Sequence, residues 1–360
     1  MITKEQVLDA LRSVMDPELH RNIVELGMVR EVQIVGKTIN VTIALTVATC
    51  PLQDQIAQDV GRVVDALGDD LEVRVALTAM TEEEKAHLRE VLQAGKQQGS
   101  GFPAANLNRI KAVVAVMSGK GGVGKSTVAA MLAVGLRRAD LRVGVLDADI
   151  TGPSIPKLLG VAEPPLSSPL GIMPPTTATG IKIMSINLML EREEDAVIWR
   201  GPLIAGAIQQ FWNDVFWGDL DILVVDMPPG TSDAALTVMQ ALPLTGIVLV
   251  TSPQDLAEMV VRKAANMAGH MNTPLIGVVE NMSYVICPDC NARFELFGKG
   301  KSEEMARAFG TAFLGKIGID SRMTQLGDAG HIEAYENDEF APLVAAVQAV
   351  VAAAPAPDSH

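Results

Sequence analysis

Beyond Asn108, six short apolar runs rich in β-branched residues recur: Ala112–Met117, Arg142–Leu146, Ile181–Ile186, Ile222–Val225, Ile247–Thr251 and Leu275–Val279. Helix-like segments lie between most of them. A strand that is apolar at nearly every position is buried on both faces, and strands that alternate with helices pair in parallel. The pattern predicts an α/β domain built on a mostly parallel sheet.

The first run leads into Gly119-Lys120-Gly121-Gly122-Val123-Gly124-Lys125-Ser126, which fits G-x-x-x-x-G-K-[ST] and precedes a helix expected from Ser126 to about Arg138. Strand, glycine-rich loop and helix form the context that a phosphate-binding loop requires. Glycines let backbone N–H groups curl around the β- and γ-phosphates of ATP. The helix N-terminus adds partial positive charge. Lys125 supplies a full cation, and the Ser126 hydroxyl can ligate Mg²⁺. Ile222-Leu223-Val224-Val225-Asp226 is a buried strand ending in an acid, a Walker B pattern in which Asp226 holds Mg²⁺ through water. Pro228-Pro229-Gly230-Thr231 then makes a stiff turn suited to sensing the γ-phosphate. Asp149, just past the run Arg142–Leu146, is placed to orient or deprotonate the attacking water. A carboxylate there also serves as a plain helix N-cap; beside the Walker motifs the catalytic reading is preferred.

Residues 1–92 have a different texture. Thr3-Lys4-Glu5-Gln6 is a capping-box pattern followed by Val7, Leu8, Leu11 and Val14 at helical spacing. Glu31–Val35 and Thr38–Val47 read as strands joined across Gly36-Lys37. Pro51 opens a second helix, Leu71–Leu77 is a strand, and Thr81-Glu82-Glu83-Glu84 caps a last helix. The order α-β-β-α-β-α predicts a small α+β domain. Residues 93–108, with Gly95, Gly99, Ser100, Gly101 and Pro103, read as a linker. Residues 109–350 are the expected nucleotide-binding domain, with Glu163–Pro175 an irregular Pro-rich loop and 351–360 a disordered tail.

Of 360 residues, 48% are hydrophobic, enough for real cores and against disorder as the main theme. Lys+Arg total 29 against 43 Asp+Glu, a net charge of -14, which disfavours nucleic acid as a partner. The longest uncharged apolar stretch, Ala234 to Gln254, is interrupted by Gln240, Pro243 and Pro253 and does not read as a membrane span. The N-terminus lacks a signal-peptide core, and three sparse cysteines suit a reducing cytoplasm. Cys287-Pro288-Asp289-Cys290 is open to three readings: a redox pair, a zinc half-site or an iron–sulfur half-site. Tetrahedral zinc and a four-cysteine cluster each need four ligands, which two chains related by a twofold axis supply from identical motifs. No apolar helix begins at Cys290, which speaks against thioredoxin-like chemistry. Cys50, just before Pro51, falls at a helix N-cap, where the helix terminus favours thiolate; a small buried hydrophobe is the alternative.

Lys120-Gly121-Gly122-Val123-Gly124-Lys125-Ser126-Thr127 resembles the deviant Walker A loop of the MinD, Mrp, ArsA and nitrogenase iron-protein class. Residues 109–345 closely resemble the Mrp-type (ApbC-like) iron–sulfur cluster carrier ATPases. The carrying motifs are this loop, Asp147-Ala148-Asp149-Ile150-Thr151-Gly152-Pro153-Ser154, Arg200-Gly201-Pro202, Asp226-Met227-Pro228-Pro229-Gly230-Thr231-Ser232-Asp233, Glu280-Asn281-Met282-Ser283 and the Cys287/Cys290 pair. Thr151 stands where the family more often has an aromatic residue. The resemblance implies a homodimer in which Lys120 reaches the partner's nucleotide. It implies that Gly119 to Thr127 and Asn281 bind ATP, and that ATP hydrolysis is slow. It also implies that paired Cys287/Cys290 motifs hold a [4Fe–4S] cluster for transfer to apo iron–sulfur proteins. The first domain resembles the PaaD/SufT-like iron–sulfur assembly domain through Asp16-Pro17-Glu18-Leu19, Ile23–Val29 and Leu45–Pro51. Cys50 lies in the last of these segments and is a candidate accessory thiolate. Other classes share the loop. A MinD/ParA-like positioning ATPase is disfavoured by a C-terminal helix, near Pro342–Ala354, that lacks Lys and Arg. A nitrogenase-like reductase is disfavoured by the C-x-x-C spacing, and a dimeric ATPase with structural zinc remains the alternative.

Overall fold

The structure is a computed structural model that describes residues 2–16, 21–45, 53–68, 71–93, 104–150, 152–190, 201–231 and 233–355. The chain divides into two compact units, Met1–Leu107 with Leu166–Met173, and Asn108–Pro165 with Pro174–His360.

In the first unit, α1 (Lys4–Leu11) starts at the expected capping box: Gln6 N–H donates to Thr3 Oγ1 (3.3 Å) and Thr3 N–H to Gln6 Oε1 (2.9 Å). Strands β1 (Val29–Val35) and β2 (Thr38–Leu45) pair antiparallel across a turn in which Gly36 takes φ 63°. Helix α2 (Gln53–Asp65) buries Ile56, Val60 and Val64. It returns the chain so that β3 (Glu72–Ala79) pairs parallel with β2 from Thr38↔Glu72 to Leu45↔Ala79. A second capping box, Thr81 with Glu84, opens α3 (Glu82–Gln93). The order is the α-β-β-α-β-α read from the sequence.

The second unit is built on a seven-stranded sheet. Its strands are β4 (Val113–Ser118), β5 (Val143–Asp147), β6 (Lys182–Ser185), β7 (Ile222–Asp226), β8 (Gly246–Thr251), β9 (Leu275–Glu280) and β10 (Ala312–Lys316). The order is β10-β9-β8-β4-β7-β5-β6, and every pairing is parallel. β4, β5, β7 and β8 are buried at every position, as strands covered on both faces must be. Helix α4 (Lys125–Arg138) packs on β4, β5 and β7, and the final helix, Ala341–Ala353, packs beside it. In-register pairing brings the C-terminal ends of neighbouring strands together: Asp226 lies opposite Asp147, Val250 opposite Ser118, and Thr251 opposite Glu280. In open α/β sheets ligands bind at such ends.

Three details differ from the expectations. An edge strand, β10, completes the sheet; its partly exposed positions and Gly315 hid the apolar run that marks the others. The Pro-rich loop contains an antiparallel pair, Leu166–Ser168 with Gly171–Met173, whose turn is closed by Ser168 Oγ donating to Gly171 O (2.9 Å). The last helix ends at Ala353, as the expected helix near Pro342–Ala354 has it, so with Val351 buried the domain runs three residues past the boundary drawn at 350.

Candidate phosphate loop and cysteine hairpin

The phosphate loop leaves β4 at Ser118 and enters α4 at Lys125. Gly122 and Gly124 both take φ 78°, which L side chains rarely adopt. A Cβ at Gly124 would also overlap the Asn281 amide. Asn281 Nδ2 donates to Val123 O (2.9 Å), so a residue from the end of β9 braces the loop. No side chain caps the start of α4, which leaves its first N–H groups for an anion. The Pro228-Pro229-Gly230 turn is tied to the loop by Gly230 N–H donating to Ser118 O (2.9 Å).

Behind the loop lies a buried charge cluster. Lys125, only 6% exposed, sets its Nζ 2.5 Å from Asp226 Oδ1, 3.3 Å from Ser126 Oγ and 3.7 Å from Asp149 Oδ2. Asp226 is fully buried, and its other oxygen, Oδ2, has no partner among the described residues. Burial pushes the Asp226 carboxyl upward, against the pull of Lys125. Asp147, absent from the sequence-derived site, is a third acid here. Burial, and next the Asp226 charge, push it up to about 8. Its oxygens accept from the N–H groups of Asp149 (3.2 Å), Ser154 (3.1 Å) and Ile155 (3.2 Å). Its signal was the acid that ends an apolar strand, the same signal that identified Asp226. The orphaned Asp226 oxygen and the Ser126 hydroxyl beside Lys125 are hard oxygen donors of the kind Mg²⁺ takes. Lys120 stands apart: its Nζ donates to Gln254 Oε1.

The cysteines lie on a small hairpin. Val285–Ile286 pairs antiparallel with Arg293–Phe294, and Cys287 and Cys290 occupy the turn between them. Cys287 N–H donates to Ala292 O (2.9 Å) and Asn291 N–H to Cys287 O (2.9 Å), while Asn291 takes φ 56° to close the turn. The backbone amide of Cys290, and after it that of Asp289, hydrogen-bond the Cys287 sulfur and lower its pKa. Such a knuckle stabilises thiolate, the form that binds metal. Both thiols are free, and Cys290 is exposed. Among the described residues no group of three or more His, Cys, Asp or Glu is gathered to hold a metal, so the pair offers two ligands per chain. Arg293 stacks 3.3 Å over the Tyr284 ring and stiffens the hairpin base.

Cys50, Glu18, Thr151 and Arg200 lie outside the described residues. Asp16 is buried, and its N–H donates to Arg21 O (2.9 Å). Gly201 and Pro202 form the first residues of a helix, Gly201–Asn213.

The parallel sheet, phosphate loop and second loop lysine define a P-loop nucleotide-binding protein of the deviant Walker A class. Residues 109–353 match the family model described as NUBPL iron-transfer P-loop NTPase, and the chain belongs to that family. Residues 4–77 match the model of an iron–sulfur cluster assembly protein. The chain is 40% identical to the iron–sulfur cluster carrier protein of Synechocystis, over 92% of this chain and 91% of the relative. It is 45% identical to the iron–sulfur cluster carrier protein of Methanocaldococcus jannaschii, over 66% of this chain and 84% of that one. A nucleotide-binding protein from Archaeoglobus fulgidus, solved in complex with ADP, superposes with a TM-score of 0.59 at 48% identity, covering 64% of this chain and 91% of its own.

Proposed function

We propose that the protein is an ATP-dependent carrier of a [4Fe–4S] cluster. The cluster is held between the Cys287/Cys290 pairs of two copies and passed to apo iron–sulfur proteins, with slow ATP hydrolysis. The observation that carries this reading is the cysteine knuckle. It offers two thiolate ligands per chain, with backbone amides aimed at one sulfur, where a four-cysteine cluster needs four. The relatives named iron–sulfur cluster carrier proteins, which align along most of the chain, support it.

At the nucleotide, Lys125 neutralises the β/γ oxygens, for which it gives up part of its contact with Asp226. Ser126 and Asp226 would hold Mg²⁺, which supplies positive charge to the triphosphate. Gly119 to Thr127 wrap the phosphates, and Asn281 fixes the loop. Asp149 orients or deprotonates the attacking water, and Lys120 turns from Gln254 to the nucleotide of the second copy. Residues 1–92 act as an assembly module in which Cys50 is an accessory thiolate, 93–108 as linker, and 109–353 as the ATPase. The protein works in the cytoplasm, without nucleic acid or membrane; among the described residues no helix is long and apolar enough to cross a bilayer.

The test is anaerobic reconstitution with iron and sulfide, followed by a visible spectrum and iron analysis. The reading expects four irons per dimer. Zinc uptake without a coloured cluster would replace it with a structural-zinc ATPase.

A further inference from the structure

Glu280 and Asn281 are consecutive residues at the end of β9 that serve different loops. Asn281 reaches the phosphate loop through Val123 O, and its own Oδ1 is buried without a partner among the described residues. Glu280, fully buried, turns to the cysteine-bearing segment. Its Oε1 accepts from Ser283 Oγ (2.9 Å), and its Oε2 accepts from Ser302 Oγ (2.5 Å). Ser283 opens that segment and Ser302 closes it, so one carboxylate pins both ends. Lys316 Nζ, 3.5 Å from Oε1, balances the charge. Gly300 leaves room for the clamp, since a Cβ there would overlap the carboxylate. The strand end is itself held on both sides: Asn281 N–H donates to Thr251 O (2.8 Å) and Ile317 N–H to Glu280 O (2.9 Å). Asn281 and Glu280 thus join the phosphate loop and the clamp through one shared peptide unit.

We propose that Glu280 is the positioning residue through which nucleotide at the phosphate loop sets the conformation of the Cys287–Cys290 hairpin. The proposal rests on the reading of the chain as an ATP-binding carrier. Its mechanical content needs no cluster. Ligand binding changes the loop that Asn281 braces, and the rigid pair Asn281–Glu280 carries the change into the clamp at Ser283 and Ser302. A carboxylate suits the task because it accepts from two hydroxyls at once while paired with a lysine.

The test uses the full-length chain and measures iodoacetamide alkylation of Cys287 and Cys290, resolved by peptide mass spectrometry. Rates are taken without nucleotide, with Mg-ADP and with Mg-ATP. In the wild type, nucleotide changes the rates by about fivefold or more, the lower range of allosteric coupling. Ser302→Ala and Glu280→Gln bind nucleotide with wild-type affinity, yet their alkylation rates no longer respond to it. A merely structural role would leave that response intact in any variant that folds. Should Glu280→Gln misfold, Ser302→Ala, which removes one hydroxyl, decides alone. Wild-type rates that ignore nucleotide overturn the proposal, as does a response that survives in folded variants. Iron–sulfide reconstitution of the wild type runs alongside. Nucleotide-dependent alkylation without cluster uptake sinks the carrier reading and leaves the clamp standing, and a cluster without that dependence does the reverse.

Discussion

The Lys125 ammonium lies 2.5 Å from Asp226 Oδ1, with side chains 6% and 0% exposed, so the two charges answer each other out of reach of water. Removing one partner of a buried pair leaves the other uncompensated, typically a loss of about 3–5 kcal/mol unless the survivor neutralises itself by taking a proton. Lys125→Ala is therefore expected to abolish ATP binding and to lower the melting temperature of the nucleotide-free protein. Adding Asp226→Asn should recover most of the melting temperature and none of the binding. Calorimetry and nucleotide titration on the two variants check both halves; full ATP affinity in Lys125→Ala would remove the phosphate-loop assignment.

Asp149→Asn should bind Mg-ATP but turn it over about a hundredfold to ten-thousandfold more slowly, the usual size of a general-base effect. Asp149 sits 3.7 Å from Lys125 at the edge of the cluster, whereas Asp226 takes the closer contact. Single-turnover hydrolysis measured beside equilibrium binding separates the two steps. Equal losses in both would make Asp149 a structural cap.

Either Cys287→Ala or Cys290→Ala should eliminate the reconstituted cluster and its delivery while most ATP hydrolysis survives. Each change removes one thiolate from every chain, hence two from a twofold dimer. Among the described residues, the Cys287 and Asn291 amides bond within the hairpin and not to the phosphate loop. Iron counts and spectra on the purified variants are the measurement, and an unchanged four-iron spectrum in both would refute the bridging arrangement.

In the first unit, Glu84 accepts from Arg30 Nε (2.7 Å) and from Thr81 N–H (2.7 Å), and the Arg30 guanidinium holds its carboxyl down at about 2. An unfolded glutamate titrates near 4.5, so the native state binds fewer protons between these values. The stabilisation is complete above pH 4.5 and is lost as pH falls toward about 2. Arg30→Met should flatten that part of the pH–stability curve of the full chain, followed by circular dichroism, and leave the slope above pH 5 unchanged. Because the pair is partly solvated, the effect should shrink with added salt.

Much of the fold could be read locally. The buried strands, the phosphate loop, Asp226, the capping boxes at Thr3 and Thr81, and the C-x-x-C pair are each written within a few consecutive residues, where periodicity and turn chemistry act. Glycines at 122 and 124 belong to that set, since backbone conformation there is a property of the residue itself. The edge strand Ala312–Lys316 was not legible, because partial exposure erases the unbroken apolar run.

What the tertiary structure decided is which of these local pieces face one another. Asp147 enters the site only because β5 and β7 pair in register, setting it opposite Asp226. Asn281 braces a loop 158 residues earlier, and Glu280 gathers Ser283 and Ser302 from the two ends of the cysteine segment. The sequence by itself determined the chemistry each segment carries, because that chemistry is set by residue type and short spacing. The meeting of those segments was left to strand order and packing, because a hydrogen bond between residues distant along the chain exists only once a shared core has placed both.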